Sequence, residues 1–108
     1  MSQEPMRIED YISDLTADEQ QEVALAEVAI DLARMLYHAR EHRQITQSEA
    51  ARLTDMKQQA ISRLEQPGAN IQIATLQRYL SALGYTLELT IRERETDDIV
   101  DQVRLAKT

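Results

Sequence analysis

Two histidines and a glutamate in the middle of the chain have a spacing that could bind zinc. The segment HAREH places His38 and His42 on one helix face with Glu41 between them, the H-x-x-E-H order of inverted zinc metalloproteases. Zinc hydrolysis also needs a third protein ligand and a shaped cavity, and the chain has no cysteine to supply a thiolate. We therefore expect a non-enzymatic protein without metal or cofactor, with a zinc hydrolase as the remote alternative.

Glutamines are concentrated in the segment that follows. Five of the eleven glutamines lie between Gln44 and Gln66, among several basic residues. A glutamine side chain both donates and accepts, so it can pair with N6 and N7 of adenine, whereas arginine and lysine can neutralise phosphate. The alternative is that this segment is a solvated polar helix face.

Composition limits the protein to one small domain. The 108 residues include 43% hydrophobic and 29% charged residues, with only 2 glycines and 2 prolines, which argues against a loop-rich all-β fold. No apolar run approaches the roughly 20 residues of a membrane span, and no signal-peptide core follows Met1. We expect a soluble cytoplasmic protein.

Charge is distributed unevenly along the chain. The formal net charge is −7, and residues 1–31 hold nine acids and one base, whereas residues 34–64 hold six bases and three acids. Phosphate binding depends on charges within about 8–10 Å, so the basic middle can bind an anion inside an acidic protein. The acidic N-terminal third then suits a different partner.

Hydrophobic periodicity and capping residues predict helices along most of the chain. Thr16 with Glu19, and Thr46 with Glu49, are capping boxes that start two of these helices. Gly84 occupies the position after the last turn of another helix. The predicted helices cover residues 8–15, 17–42, 47–53, 57–66 and 73–83.

The C-terminal part changes to a period of two. Tyr85, Leu87, Leu89 and Ile91 alternate with polar residues, which predicts one strand, and Thr96 is read as the cap of a final amphipathic helix. A single strand cannot satisfy its own backbone groups. We therefore expect it to pair with its copy across a two-fold axis, as a homodimer, or to extend a partner's sheet; a frayed tail is the alternative.

Residues 46–66 carry the most specific motif, two short helices joined by a tight turn. Ala51 lies where the helices are predicted to meet, and Asp55 occupies a turn position that requires a left-handed backbone. The apolar residues predicted to lock the helices together are Ala50, Leu53, Met56, Ile61 and Leu64. Residues 34–84 resemble the Cro/Xre-type helix-turn-helix family, in the segments TQSEAA, KQQAISRLE and TLQRYLSALGY.

The resemblance implies a DNA-binding regulator whose second motif helix lies in the major groove. It implies base contacts by Gln58, Gln59, Ser62 and Arg63. It also implies a contact between Gln47 and a phosphate of the DNA backbone. Arg43, Arg52 and Lys57 are further candidates for phosphate contacts. Arg63 has the alternative of an ion pair with Glu65 or a neighbouring acid.

Within that family the chain resembles HigA-type antitoxins, which repress their own operon and neutralise a RelE-like ribonuclease toxin. The stretch TLQRYLSALGY and the strand that follows it carry this resemblance. A basic toxin would be attracted by the acidic residues 4–31 or by Asp97, Asp98 and Asp101. A stand-alone repressor with no toxin partner is the alternative.

We therefore expect a mostly α protein with a lambda-repressor-like helix-turn-helix domain of about five helices and one C-terminal strand. Its predicted parts are an acidic helical extension (residues 1–30), the DNA-binding domain (31–84), and a strand with a short helix (85–108) for dimerisation or partner binding. The expected partners are a palindromic DNA operator, a second copy of the chain and a toxin protein, with no membrane.

Overall fold

The computed structural model describes residues 14–68 and 70–105 of the chain. Four helices and two strands lie in this part, where five helices and one strand were expected. The elements are α1 (Ala17–His42), α2 (Gln47–Thr54), α3 (Gln58–Leu64), α4 (Ile73–Ala82), β1 (Leu87–Arg92) and β2 (Ile99–Leu105). The helix predicted over residues 8–15 falls almost wholly outside the described residues, and its last two positions form a turn and a bend.

Both predicted capping boxes are confirmed. The Thr16 hydroxyl accepts from the Glu19 backbone N–H at 3.2 Å, while the Glu19 carboxylate accepts from the Thr16 N–H at 3.1 Å. Thr46 and Glu49 make the same reciprocal pair at the start of α2. These bonds satisfy backbone donors that a helix start leaves free, and they hold the pKa of both glutamates below its usual value.

The core lies where α1, α2, α3 and α4 meet. Leu36, Ile61 and Tyr79 are its largest fully buried side chains, and Ala50, Leu64, Leu76 and Leu83 complete the cluster. Leu53 was predicted to belong to this core, but its side chain is 58% exposed. Ala50, rather than Ala51, is the fully buried alanine of α2. The wedge between the helices is therefore smaller than predicted, because the next residue, Thr54, is the one that turns inward.

Thr54 is buried without leaving a polar group unpaired. Its hydroxyl donates to the Ala50 carbonyl at 2.7 Å, one turn earlier in the same helix. This local bond offsets the desolvation of the hydroxyl. A threonine can therefore be buried at the end of α2 with its hydroxyl paired.

The C-terminal segment is a β-hairpin, so the prediction of one strand and a final helix is wrong. β1 pairs with β2 in antiparallel register, with Leu87 opposite Leu105 and Leu89 opposite Val103. Thr96 does not cap a helix: its hydroxyl accepts from the Asp98 N–H at 3.3 Å within the connecting turn. Threonine uses the same side-chain acceptor in both motifs, so its type alone cannot distinguish them.

The hairpin alters the basis of the expected dimer. β1 pairs with β2 of its own chain. It is therefore not a single unpaired strand that requires a second copy. Tyr85, predicted to belong to the strand, precedes it and donates its hydroxyl to the Ala39 carbonyl of α1 at 2.7 Å. The remaining predicted strand residues (Leu87, Leu89 and Ile91) do lie in β1 on one face of the hairpin.

Candidate nucleic-acid interface

The four residues predicted to contact bases lie together on one side of α3. At 100° per residue, positions 58, 59, 62 and 63 span an arc of about 140°, and Ile61 and Leu64 lie on the opposite side, in the core. Gln58, Gln59 and Arg63 are exposed and Ser62 is half-buried. The core residues thus fix the orientation of α3 and leave its polar face accessible.

The turn before α3 has the left-handed backbone predicted for Asp55, with φ 54° and ψ 36°. Across it, the Met56 N–H donates to the Ala51 carbonyl at 3.1 Å. The Arg78 guanidinium of α4 donates to the Asp55 carbonyl at 3.3 Å. The turn is therefore held from both sides. Arg78 was not anticipated from the sequence, because its partner is 23 positions away.

A buried ion pair fixes the end of α3 to the rest of the domain. Arg40 Nε donates to Glu65 Oε1 at 2.6 Å, and the two side chains are 9% and 4% exposed. The Arg40 Nη1 atom donates to the Ile45 carbonyl at 2.7 Å, and the Gln47 amide donates to Glu65 Oε2 at 2.6 Å. Three helix ends therefore meet at one carboxylate.

Electrostatics favour the charged form of Arg40. Burial acts to lower the pKa of Arg40, but the hydrogen bond and the negative charge of Glu65 outweigh it, so the pKa is raised. Glu65 was considered from the sequence only as a partner of Arg63. Its actual partner, Arg40, lies 25 positions earlier in the chain, a separation that no local pattern reveals.

The residues predicted to contact phosphate fall into two groups. Arg52 and Lys57 are exposed near the two ends of the turn, and neither they nor Arg63 form an ion pair within residues 14–68 and 70–105. Arg43 is exposed as well, but it already has partners within the chain: its guanidinium donates to the Leu83 carbonyl at 2.9 Å and lies 4.2 Å from the Tyr85 ring centre. Gln47 is similarly engaged with Glu65.

A groove runs beside α3, between this helix and the chain that leads into α4. Its polar lining comes from Lys57, Gln59, Arg63, Asn70 and Thr75. Two of the predicted base-contacting side chains thus share a concave surface with Asn70, which sequence patterns did not single out because it lies in an irregular loop.

The residues of the zinc motif do not converge on a common point. His38 packs its ring against Tyr37 at 5.9 Å, and His42 faces Tyr85 at 6.3 Å, while a Glu41 oxygen lies 3.5 Å from Arg40 Nη1. Within the described ranges, no three histidine, cysteine, aspartate or glutamate side chains are grouped as metal ligands.

Comparison with known proteins identifies the domain that contains α2 and α3. A family model described as helix-turn-helix matches residues 36–89, which is half of the chain. No curated protein and no solved structure matches the chain. No helix in the described part of the chain is long and apolar enough to cross a membrane.

Proposed function

Because the chain belongs to the Cro/C1-type helix-turn-helix family of DNA-binding transcriptional regulators, we propose that it is a sequence-specific repressor that reads DNA through α3. The observation that best supports this proposal is the exposed polar face of α3. Gln58 and Gln59 supply paired donors and acceptors for adenine, and Arg63 suits guanine. Ser62 lies between these side chains around the helix, and its hydroxyl can add a hydrogen bond of shorter reach.

Phosphate contacts fit Arg52 and Lys57 best, because both cations are exposed beside the face that would enter the groove. Such contacts increase affinity for every sequence alike and make it salt-dependent. Arg43 and Gln47 use their polar ends within the protein, so we assign them to positioning α4 and α2. Gln47 is also the first residue of α2, so its backbone N–H lies at a helix start where a phosphate can bind.

We propose that the repressor is a homodimer formed through the hairpin. Leu89, Ile91 and Val103 are 39%, 62% and 50% exposed on one face, and the outer edge of each strand leaves backbone groups unpaired within residues 87–105. A two-stranded hairpin is marginally stable alone. A second copy could cover this face and place two α3 helices about 34 Å apart, over successive major grooves of a palindrome.

We further propose that the protein is an autorepressing antitoxin of a basic ribonuclease. The first half of α1 supports this part, because it is acidic and extends beyond the core. A stand-alone repressor, the alternative, would share every feature of the DNA interface, so this acidic extension is the feature on which the antitoxin proposal rests.

The DNA-binding proposal can be tested by selecting bound duplexes from a randomised pool and sequencing them. We expect a two-fold symmetric consensus with half-sites about 10 base pairs apart. A protein that binds DNA yet enriches no sequence would contradict base reading by α3. Enrichment of a single half-site would support reading by α3 and contradict the dimer.

The antitoxin proposal can be tested by co-expressing the chain with the adjacent reading frame of its native operon. We expect a small basic protein that co-purifies with the chain and whose RNA cleavage the chain inhibits. An adjacent protein that neither binds nor is inhibited would leave the stand-alone repressor as the function.

A further inference from the structure

We propose that the part of α1 up to Met35 is a docking surface for a basic protein segment with an apolar face. The surface, which we name the α1 stripe, consists of Leu25, Val28, Leu32 and Met35. This proposal rests on the antitoxin part of the proposed function, which is the reason to expect a protein partner. It adds the location of the binding site and the chemistry of the partner.

Spacing places these four side chains on one helix face. Their separations of three, four and three residues are those of a seam between packed helices. Leu25, Val28 and Met35 are 63%, 63% and 60% exposed, and Leu32 is half-buried. Within the described part of the chain Leu32 packs partly against the core, and the other three side chains of the stripe are left exposed.

The stripe lies mainly on a part of α1 that extends past the core. Among the described residues of α1, the first buried one is Ala33. The preceding 16 helical residues from Ala17 therefore extend about 24 Å without a fully buried side chain. Such a length of helix offers a long surface to a second helix, as in helix-in-groove recognition.

The stripe continues into an apolar groove on the domain. Met35 lines this groove together with Ala39, Leu80 and Leu87. The apolar side chains of the stripe therefore lead along α1 to a groove that reaches the start of β1. Contiguous apolar surfaces of this extent mark binding sites on soluble proteins.

The charges near the α1 stripe indicate which kind of partner would bind it. Of the acidic residues in this part of α1, Asp18, Glu22 and Asp31 lie nearest the stripe and Glu19 and Glu27 lie farther round the helix, while the one base, Arg34, already pairs with Asp31 at 3.4 Å. Nucleic acid would be repelled by this surface. A second copy would bring two acidic sets together, whereas a partner with lysine or arginine around an apolar strip would complement it.

The hairpin shows the contrast within the same molecule. Its apolar face contains one charged residue, Asp101, opposite Ile91, so two copies can meet there with little like-charge repulsion. The two exposed apolar surfaces therefore suit different partners: the hairpin suits a second copy and the α1 stripe suits a basic protein.

A synthetic 18-residue amphipathic peptide, with leucine on one face and lysine on the other, can serve as the probe. Its binding to the full-length chain is measured by fluorescence anisotropy. The matched variants are Val28→Glu, in the stripe, and Ile30→Glu, which is 53% exposed on another side of α1 and adds the same charge. We expect Val28→Glu to weaken binding at least about tenfold and Ile30→Glu to leave it unchanged.

Three results would overturn the proposal. Equal weakening by both variants would show that the stripe is not the site. Equal binding of a peptide with glutamate in place of lysine would remove the charge argument. Loss of a dimer in Val28→Glu by sedimentation would make a second copy the occupant. The co-expression experiment above is independent: if it fails while the peptide binds selectively, the surface stands and the toxin assignment falls.

Discussion

The helix-turn-helix core and the two projecting parts of this molecule differ in how they use apolar residues. Every buried residue in the described part of the chain lies between Ala33 and Leu83. The first half of α1 and the hairpin carry most of the exposed large apolar side chains. The Cα radius of gyration is 17.7 Å, whereas a compact chain of this length has about 13 Å. The core therefore accounts for folding, and the projections present surfaces that further chains can cover.

The same contrast extends to ion pairs. Arg40 and Glu65 are buried and share hydrogen bonds with two other groups, whereas Glu88 and Arg104 form an exposed pair on the hairpin at 2.7 Å. Removing one partner of a buried pair leaves an uncompensated charge, while an exposed charge is solvated by water. The N–O distances of the two pairs are nearly the same. We therefore expect the buried pair to stabilise the protein more than the exposed pair because it is buried.

The largest effect is expected from breaking the buried pair. Glu65→Ala should lower the free energy of unfolding by about 3–5 kcal/mol, because the Arg40 charge and the Gln47 amide lose their acceptor. The matched variant Glu88→Ala should cost less than about 1 kcal/mol. Urea denaturation followed by circular dichroism measures both, and similar losses would mean that the two pairs do not differ as described.

A smaller effect is expected at the hairpin. Leu89→Lys should raise the dissociation constant of the dimer at least about tenfold, since it buries an unpaired charge in the apolar face. Thr90→Lys, on the opposite face of β1, should leave the dimer intact. Sedimentation at micromolar concentration distinguishes them. A dimer that survives Leu89→Lys would place the interface elsewhere, and the long α1 helix would be the next candidate.

The smallest effect is expected at the centre of the core. The Tyr79 hydroxyl is buried and has no hydrogen-bond partner within the described residues. Tyr79→Phe removes this polar atom while keeping the ring. The variant should therefore be as stable as the parent at pH 7, or up to about 1 kcal/mol more stable. A loss of more than 1 kcal/mol, measured by urea denaturation, would indicate that the hydroxyl is hydrogen-bonded in solution.

Tyr79 also gives a pH dependence. Burial, followed by the charge of Glu65, raises the pKa of this hydroxyl from 10.0 to about 12. Between these values the unfolded chain loses the proton and the folded chain keeps it, so rising pH favours unfolding. The parent should lose about 1–2 kcal/mol across this range relative to Tyr79→Phe. Parallel stability curves for the two proteins would contradict the raised pKa.

The sequence predicted the helices well because the signals at their ends are local. Thr16 and Glu19, like Thr46 and Glu49, bond reciprocally within one turn, so residue types at fixed spacing are enough. Asp55 was also predicted correctly, because only a left-handed residue closes the turn between α2 and α3. All four predicted base-contacting residues share one side of α3, as helical periodicity requires.

The remaining features depend on contacts between distant residues or on signals with two meanings. Arg40 meets Glu65, and Arg78 meets Asp55, only after the helices have packed. Ile99, Val100 and Val103 fit a helix face as well as a bulged strand, since two adjacent apolar residues interrupt strict alternation. Only the pairing with β1, which is a tertiary contact, makes this segment a strand instead of a helix.

The most direct test of base reading compares two substitutions on α3 and its cap. Binding of the parent, Gln59→Ala and Lys57→Ala is measured by anisotropy on the selected duplex and on a random duplex at one salt concentration. Gln59→Ala should weaken binding to the selected duplex by about 1–3 kcal/mol and leave binding to random DNA unchanged, whereas Lys57→Ala should weaken both alike. Equal losses on the two duplexes for Gln59→Ala would contradict the account.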